Sequence, residues 1–389
     1  MSSERRPFSI DIWHNILWSQ YKGEVFSSLW EMVDKSEFDL RFIQFAETDG
    51  KRVSISGVDL SRHRYPFDLV FEGCIDTVGL RQRLSAILTR TLRSEADLTV
   101  LMGYEKMECW LQLLILLLRR RKTAVFCDST IHDQKQRFVR GLLKSAFFRV
   151  VSGIFGYGTR TKEYVVHYGA NPAKVFIPCH AVALPLTYTP AIALESRMAA
   201  GISPTTPRFL YVGRLSAEKG LGTLLNAFAR IRPKFPAASL IFVGDGKMRA
   251  ALEKKTLELG LGGSVQFAGS KTGDELFREF TIATALVLPS TSEPWGLVVN
   301  EALSHGCPAI VSDRCGCVPE LIIEGKTGMV HATDNVEDLA EKMLAAPAQF
   351  SDVETTARAC LNLMAQYTPQ KAANRIIAGC RAILLGMNQ

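Results

Sequence analysis

Two Rossmann-like α/β domains, each a parallel sheet covered by helices on both faces and set facing one another across a cleft, are predicted for this chain by three observations. Short β-branched or aromatic runs alternate with longer helical stretches, as βαβ units require. The alternation runs twice along the 389 residues, a length that suits two domains each burying its own core. Between the two series lies a proline-spaced, alanine-rich stretch, Pro185 to Pro207, with the composition of an interdomain connection.

The first series comprises Phe8 to Trp13, Leu40 to Phe45, Asp68 to Glu72, Leu98 to Met102 and Thr123 to Cys127. The second comprises Arg208 to Gly213, Ser239 to Gly244, Val265 to Gly269, Ala285 to Pro289 and Ala309 to Ser312. We therefore expect an N-terminal domain over 1–185, a linker over 186–207, a C-terminal domain over 208–368 and a terminal helix within 369–389. In sheets of this kind ligands sit at the carboxyl ends of the strands, which places the expected site in the cleft between the domains.

Apolar residues make up 47% and charged residues 22%, a balance that argues for a globular protein without long disordered stretches. Met1 to Pro7 is charged and leads straight into the alternating Phe8 to Trp13, so no signal-peptide segment is expected and the predicted setting is cytoplasmic. The most apolar run, Trp110 to Leu118, falls far short of the roughly 20 residues that span a bilayer and reads as a buried helix. Nine scattered cysteines lack paired zinc-site spacings and suit a reducing compartment, and no bound metal is expected. The basic excess lies in residues 1–185, with 26 Lys and Arg against 20 Asp and Glu, whereas the remainder carries 20 against 19.

The strongest chemical signal runs from Ser290 to Pro308, STSEPWGLVVNEALSHGCP, after an apolar strand. A helix opening near Gly296 points the free N–H groups of Gly296, Leu297 and Val298 toward a ligand, where the helix dipole favours a diphosphate. Glu301 follows Leu297 one turn on, on the same face, placed to accept hydrogen bonds from two ribose hydroxyls. Glu293 and Trp295 precede the helix, with Glu293 nearer a sugar. The second signal is GRLSAEKG, Gly213 to Gly220, where Arg214 and Lys219 on a post-strand loop suit a diphosphate and the charge of a departing nucleotide. A third, Val243 to Gly246, lacks the last glycine of a dinucleotide fingerprint because Arg249 stands there.

These three motifs together, spanning about residues 208–330, resemble glycosyltransferase family 4, the retaining enzymes of the GT-B fold. The resemblance implies that Arg214 and Lys219 hold the donor diphosphate, that Glu301 binds ribose, and that Glu293 with the amides after it contacts the sugar. It also places Gly213, Gly244 and the loop Gly269, Ser270 and Lys271 at the donor, with Ser270 and Lys271 beside the base. It implies catalysis without a metal, and a terminal helix, Pro369 to Leu385, that crosses back to the N-terminal domain. Two family features are altered: Tyr21, Lys22 and Gly23 stand where paired glycines follow the first strand, marking the acceptor side, and Pro178 to Val182 reads PCHAV. The family histidine after the fifth strand has two candidates, Asp128, which immediately follows the strand end, and His132.

The expected activity is transfer of a hexose-type sugar from a nucleotide-sugar to a glycan or polyprenyl-pyrophosphate-linked acceptor, in assembly of a surface polysaccharide such as exopolysaccharide or lipopolysaccharide. A same-fold epimerase or phosphorylase, and a catalytically silent partner subunit, are the other readings. The stretch 135–149 interleaves Arg137, Arg140, Lys144 and Arg149 with apolar residues, a basic amphipathic helix suited to anionic lipid at the inner face of the cytoplasmic membrane. Its aromatics form no stacking platform, so nucleic acid is not an expected partner.

Overall fold

A computed structural model describes residues 6–50, 52, 57–133, 138–182, 184, 185 and 187–387, and in these the strands form two separate sheets, parallel throughout. The first sheet contains β1 (Phe8–Ile16), β2 (Phe38–Thr48), β3 (Phe67–Cys74), β4 (Leu98–Leu101), β5 (Lys122–Cys127), β6 (Gly153–Gly156) and β7 (Val175–Phe176), ordered β3-β2-β1-β4-β5-β6-β7. The second contains β8 (Arg208–Val212), β9 (Ser239–Val243), β10 (Val265–Phe267), β11 (Ala285–Leu288), β12 (Ala309–Ser312) and β13 (Gly328–His331), ordered β10-β9-β8-β11-β12-β13. The helices of the first half are α1 (Gln20–Met32), α2 (Leu80–Arg93), α3 (Met107–Leu118), α4 (Phe138–Val150) and α5 (Thr159–His167). Those that follow are α6 (Pro190–Ala199), α7 (Leu221–Ile231), α8 (Arg249–Glu258), α9 (Gly273–Ile282), α10 (Leu297–Ser304), α11 (Val318–Leu321), α12 (Val336–Gln349), α13 (Val353–Met364) and α14 (Pro369–Leu385).

Strand order decides where ligands can enter. In each sheet the chain winds outward one way from a central strand, then returns to its other side, leaving a crevice at the carboxyl ends of the two strands where the direction reverses. Those strands are β1 and β4 in the first sheet and β8 and β11 in the second. The loops that matter therefore follow Ile16 and Leu101 in one unit, and Val212 and Leu288 in the other.

Packing divides the chain into one unit formed up to residue 183 together with Tyr367 onward, and another formed by Leu184 to Gln366, to which His132 also belongs. One face of the first sheet is closed by α1 and α14, whose Ala372, Ala373, Ile376, Cys380 and Ile383 join Ile10, Ile12, Val25 and Phe155 in a single core. Gly379 permits this approach, because a Cβ there would meet Phe155 Cε1 at 2.5 Å. Lys122 Nζ donates to the carbonyls of Ile383 at 2.7 Å and Leu384 at 2.9 Å, a cation on the negative end of α14.

Several expectations are revised. Within the expected linker, residues 190–199 form α6, which opens with a proline and is alanine-rich, both favourable to a helix. This helix packs on α9 and α13 of the C-terminal unit, with Arg197 Nε donating to the Thr281 carbonyl at 3.4 Å. Strands β6, β7 and β13 were not expected. The run at 110–118 lies in α3 and is buried on one side only, with Leu114, Leu117 and Leu118 exposed. Of the basic stretch, Lys135 to Arg137 lie outside the described residues, as do Met1 to Arg5, Leu186, Asn388 and Gln389. Among the described residues no helix is long and apolar enough to cross a membrane.

Candidate active site

In the C-terminal unit three glycine loops meet at the strand ends. Gly213 N donates to Val243 O at 2.9 Å, Leu215 N to Asp245 O at 2.9 Å, and Gly244 N to Gly269 O at 2.7 Å. A Cβ on Gly244 would lie 2.1 Å from Gly213 O, so only glycine lets the loops after β8 and β9 touch backbone to backbone. Gly220, at φ 64°, turns the chain so that the short helical turn Ala217–Lys219 lies against the end of β11, where Thr291 N donates to Glu218 O at 2.9 Å.

That contact brings together the two motifs on either side of the β8/β11 crevice. Lys219 Nζ donates to Glu293 Oε2 at 2.5 Å, with side-chain exposures of 13% and 14%. Arg214 is on the surface, its Nη2 3.4 Å from Glu218 Oε1. The Glu293 loop is clamped by Gly316 N donating to Glu293 O at 2.9 Å and Cys317 N to Trp295 O at 3.0 Å. A Cβ on Gly316 would sit 1.8 Å from Pro294 O. Gly316→Ala is therefore expected to lower the melting temperature of this unit by several degrees, corresponding to ~2–4 kcal/mol, in a thermal scan of the purified variant.

Gly296, at φ 97°, starts α10 without any side chain capping it, so the amides of its first turn have no side-chain acceptor. Glu301 is half-buried one turn into the helix, and desolvation alone pushes its carboxyl up to about 7. Two expected donor residues are engaged elsewhere. The Trp295 side chain is 4% exposed and donates from Nε1 to Asn300 Oδ1 at 2.7 Å, which fixes the loop on the helix and leaves only its backbone for a ligand. Lys271 is paired with Glu279, which Arg208 also holds, whereas Ser270 is exposed.

In the N-terminal unit a cavity of about 370 Å³ opens at the carboxyl ends of β1, β4 and β5. Its wall includes His14, Tyr21, Lys22, Tyr104, Phe126, Asp128 and Tyr157. The Tyr21 and Tyr157 hydroxyls are 2.6 Å apart, and Tyr157 stacks at 4.1 Å on His180, from the altered PCHAV segment. His14 is buried in that wall, donates from Nδ1 to Gln44 Oε1 over 3.2 Å, and has its pKa lowered to about 3 by desolvation. Gly23 does not line the cavity: a turn of helix carries it to the side of α1, where a Cβ would meet Arg62 O at 2.8 Å. Asp128 is exposed at the strand end, within the cavity wall, whereas His132 lies on the following turn and is not part of that wall. Tyr157 and His180 were missed by sequence reasoning, since nothing in their spacing joins them to Tyr21.

Residues 194–348 match the family model of the glycosyl transferases group 1. That stretch lies within the C-terminal unit and takes in both Lys219 and Glu293. The sulfoquinovosyl transferase SQD2 of Arabidopsis thaliana is 38% identical over 143 residues, 36% of this chain and 26% of that protein. The chain spans between about a quarter and a half of the length of the curated relatives it matches, 26% and 47% for two of them. Over the whole chain the likeness is one of structure. The lipopolysaccharide outer core galactosyltransferase WaaB matches 96% of this chain and 99% of its own with a TM-score of 0.70 at 15% identity. Anabaena HepE, solved in complex with UDP, matches 96% and 100% with a TM-score of 0.72 at 16% identity. The fold is GT-B, and the matched residues 194–348 hold most of its second Rossmann-like sheet, with the paired Lys219 and Glu293.

Among the described residues no group of three or more His, Cys, Asp or Glu side chains is placed to hold a metal ion. At the β8/β11 crevice a basic and an acidic side chain face one another, Lys219 and Glu293, with Arg214 and Glu218 beside them.

Proposed function

We propose that this chain is a retaining glycosyltransferase of family 4 that moves a hexose-type sugar from a nucleotide-sugar to a glycan or lipid-linked acceptor in surface-polysaccharide assembly. The observation that carries the reading is the meeting of Lys219 and Glu293 at the β8/β11 crevice, beside a helix whose N-terminus is uncapped. A donor diphosphate entering there offers Lys219 a stronger anion than one carboxylate, and draws Arg214 from its exposed partner Glu218. Glu293, released from Lys219, then accepts from a sugar hydroxyl, and Glu301 accepts from the ribose. Both cations and the α10 amides stabilise the charge that develops as the sugar–phosphate bond breaks, so no metal is invoked for that step. HepE bound to UDP supports a nucleotide-sugar donor, and WaaB, named for lipopolysaccharide, supports a surface glycan as product.

The test is nucleotide diphosphate release from a panel of UDP-, GDP- and ADP-sugars, with and without a crude lipid-acceptor extract. Acceptor-stimulated release from one donor supports the reading. Release without glycosylated product would favour an epimerase or phosphorylase, and silence with every donor a partner subunit.

Glu301 gives the donor site a pH dependence. A carboxyl near 7 must lose its proton to accept from two hydroxyls, so nucleotide affinity is expected to fall about tenfold between pH 8 and pH 6. Calorimetric titration across that range reads it. A flat profile in wild type, or the same slope in Glu301→Gln, would remove Glu301 from ribose recognition.

The membrane partner is proposed from α4. Leu142 and Leu143 are 58% and 52% exposed beside exposed Arg140 and Arg149, while Phe147 and Phe148 are buried in the core. Lys144 lies over the rings of Tyr164 and Tyr168 at 5.1 Å. Exposed leucines flanked by arginines suit an anionic bilayer surface. We expect the protein to sediment with phosphatidylglycerol vesicles at low salt, and Leu142→Glu with Leu143→Glu to release it. Equal sedimentation with neutral vesicles would count against the proposal.

A further inference from the structure

Lys22 is buried without a hydrogen-bond acceptor for its ammonium. The residue is 2% exposed, and among the described residues no oxygen accepts from its Nζ. Its surroundings are aromatic: Nζ lies 4.2 Å from the centre of the Phe126 ring, 5.2 Å from Tyr157, and 5.9 Å from both Tyr21 and Phe26. A desolvated cation–π contact is worth about 2 kcal/mol, against several kcal/mol for withdrawing an ammonium from water. A lysine that merely packs its stem carries its head to solvent. Here the head is innermost, in the wall of the cavity at the carboxyl ends of β1, β4 and β5. The other charges around that cavity are largely placed already. Arg52 is paired with Asp49, Glu105 and Lys106 are exposed, and the Asp128 carboxylate in the same wall favours the ammonium through space without accepting a hydrogen bond from it.

We infer that this cavity receives a negatively charged group, a phosphate or a carboxylate borne on a sugar, and that Lys22 is its receptor. About 370 Å³ accommodates one monosaccharide with a charged substituent, and Tyr21, Tyr104 and Tyr157 provide the flat, hydroxyl-bearing walls that sugars stack on. That this sugar belongs to the acceptor rests on the glycosyltransferase reading. The anion site itself does not. Burial lowers the lysine pKa to about 8, so most of the population at neutral pH is charged and ready to pair.

The full chain is saturated with whichever of UDP, GDP or ADP raises its melting temperature most, which occupies the donor loops. It is then titrated calorimetrically with glucose, glucose 6-phosphate and glucuronic acid, as wild type, Lys22→Met and Lys22→Gln. One charged sugar is expected to bind wild type at least about tenfold tighter than glucose, the worth of one charge-assisted hydrogen bond, with the preference lost in both variants. Which charged sugar prevails distinguishes phosphate from carboxylate. The inference is overturned if wild type shows no preference or no binding, if the preference survives in either variant, or if the substitutions weaken only the nucleotide. Should no nucleoside diphosphate shift the melting temperature, the glycosyltransferase reading fails, while the same three titrations without nucleotide still decide the anion site.

Discussion

Lys219→Ala is expected to cut donor turnover by ~10²–10³-fold, the range for removing one preorganised charge stabiliser from a transition state. Within our reading the loss falls mainly on kcat, because the negative charge on the leaving diphosphate grows as the bond to the sugar breaks. The same substitution strands Glu293, only 14% exposed, without its partner, so the variant also melts earlier. Pairing it with Glu293→Gln separates the two effects. The double variant should regain most of the lost thermal stability and none of the turnover. If it recovers turnover, Lys219 serves to hold the loop and not the diphosphate. Saturation kinetics with the preferred donor and a thermal scan of the three variants decide between them.

Lys22→Met is expected to move in the opposite direction on stability. With its folded pKa lowered from 10.5 to about 8, protonated Lys22 is disfavoured in the folded chain. Two and a half pH units at about 1.36 kcal/mol each give a cost of ~3 kcal/mol. The sign follows from the order of the two values. Below pH 8 the lysine is charged in both states and the cost is complete; between 8 and 10.5 it is relieved as the folded chain sheds the proton; above 10.5 it is gone. Methionine should therefore raise the melting temperature of the N-terminal unit by several degrees at pH 7 and progressively less toward pH 10. A neutral result at pH 7 would mean that water or a neighbouring group already serves the ammonium.

The strands forming the centres of both sheets are readable in the chain because fully buried parallel strands are continuous apolar runs, as in Leu98–Leu101 and Ala285–Leu288. Edge strands are not. Gly153–Gly156 is bounded by glycines and Val175–Phe176 is two residues long, so each exists by pairing with a neighbour already in place. The candidate site divides the same way. Glycine loops after strands carry a local signal, and the Gly213 and Gly296 turns lie where it points. What a side chain does after folding carries none: Trp295 turns inward to Asn300, and Lys271 is taken by a glutamate that Arg208 also needs. The isolation of Lys22 is a property of four rings from three separate elements, which no spacing along the chain encodes.

The docking of α14 on the first sheet sets an order on synthesis. Ala373, Ile376 and Ile383 fill the core over Ile10 and Phe155, yet they are translated only after every residue of the C-terminal unit. Until then the growing chain presents the part of that face beside α1, apolar and uncovered, to everything around the ribosome. The C-terminal unit, whose elements are contiguous, can reach its native packing first, although its residues are made second. The N-terminal unit is then the last to close, and a nascent chain halted before Tyr367 would meet chaperones or its own copies through that open face.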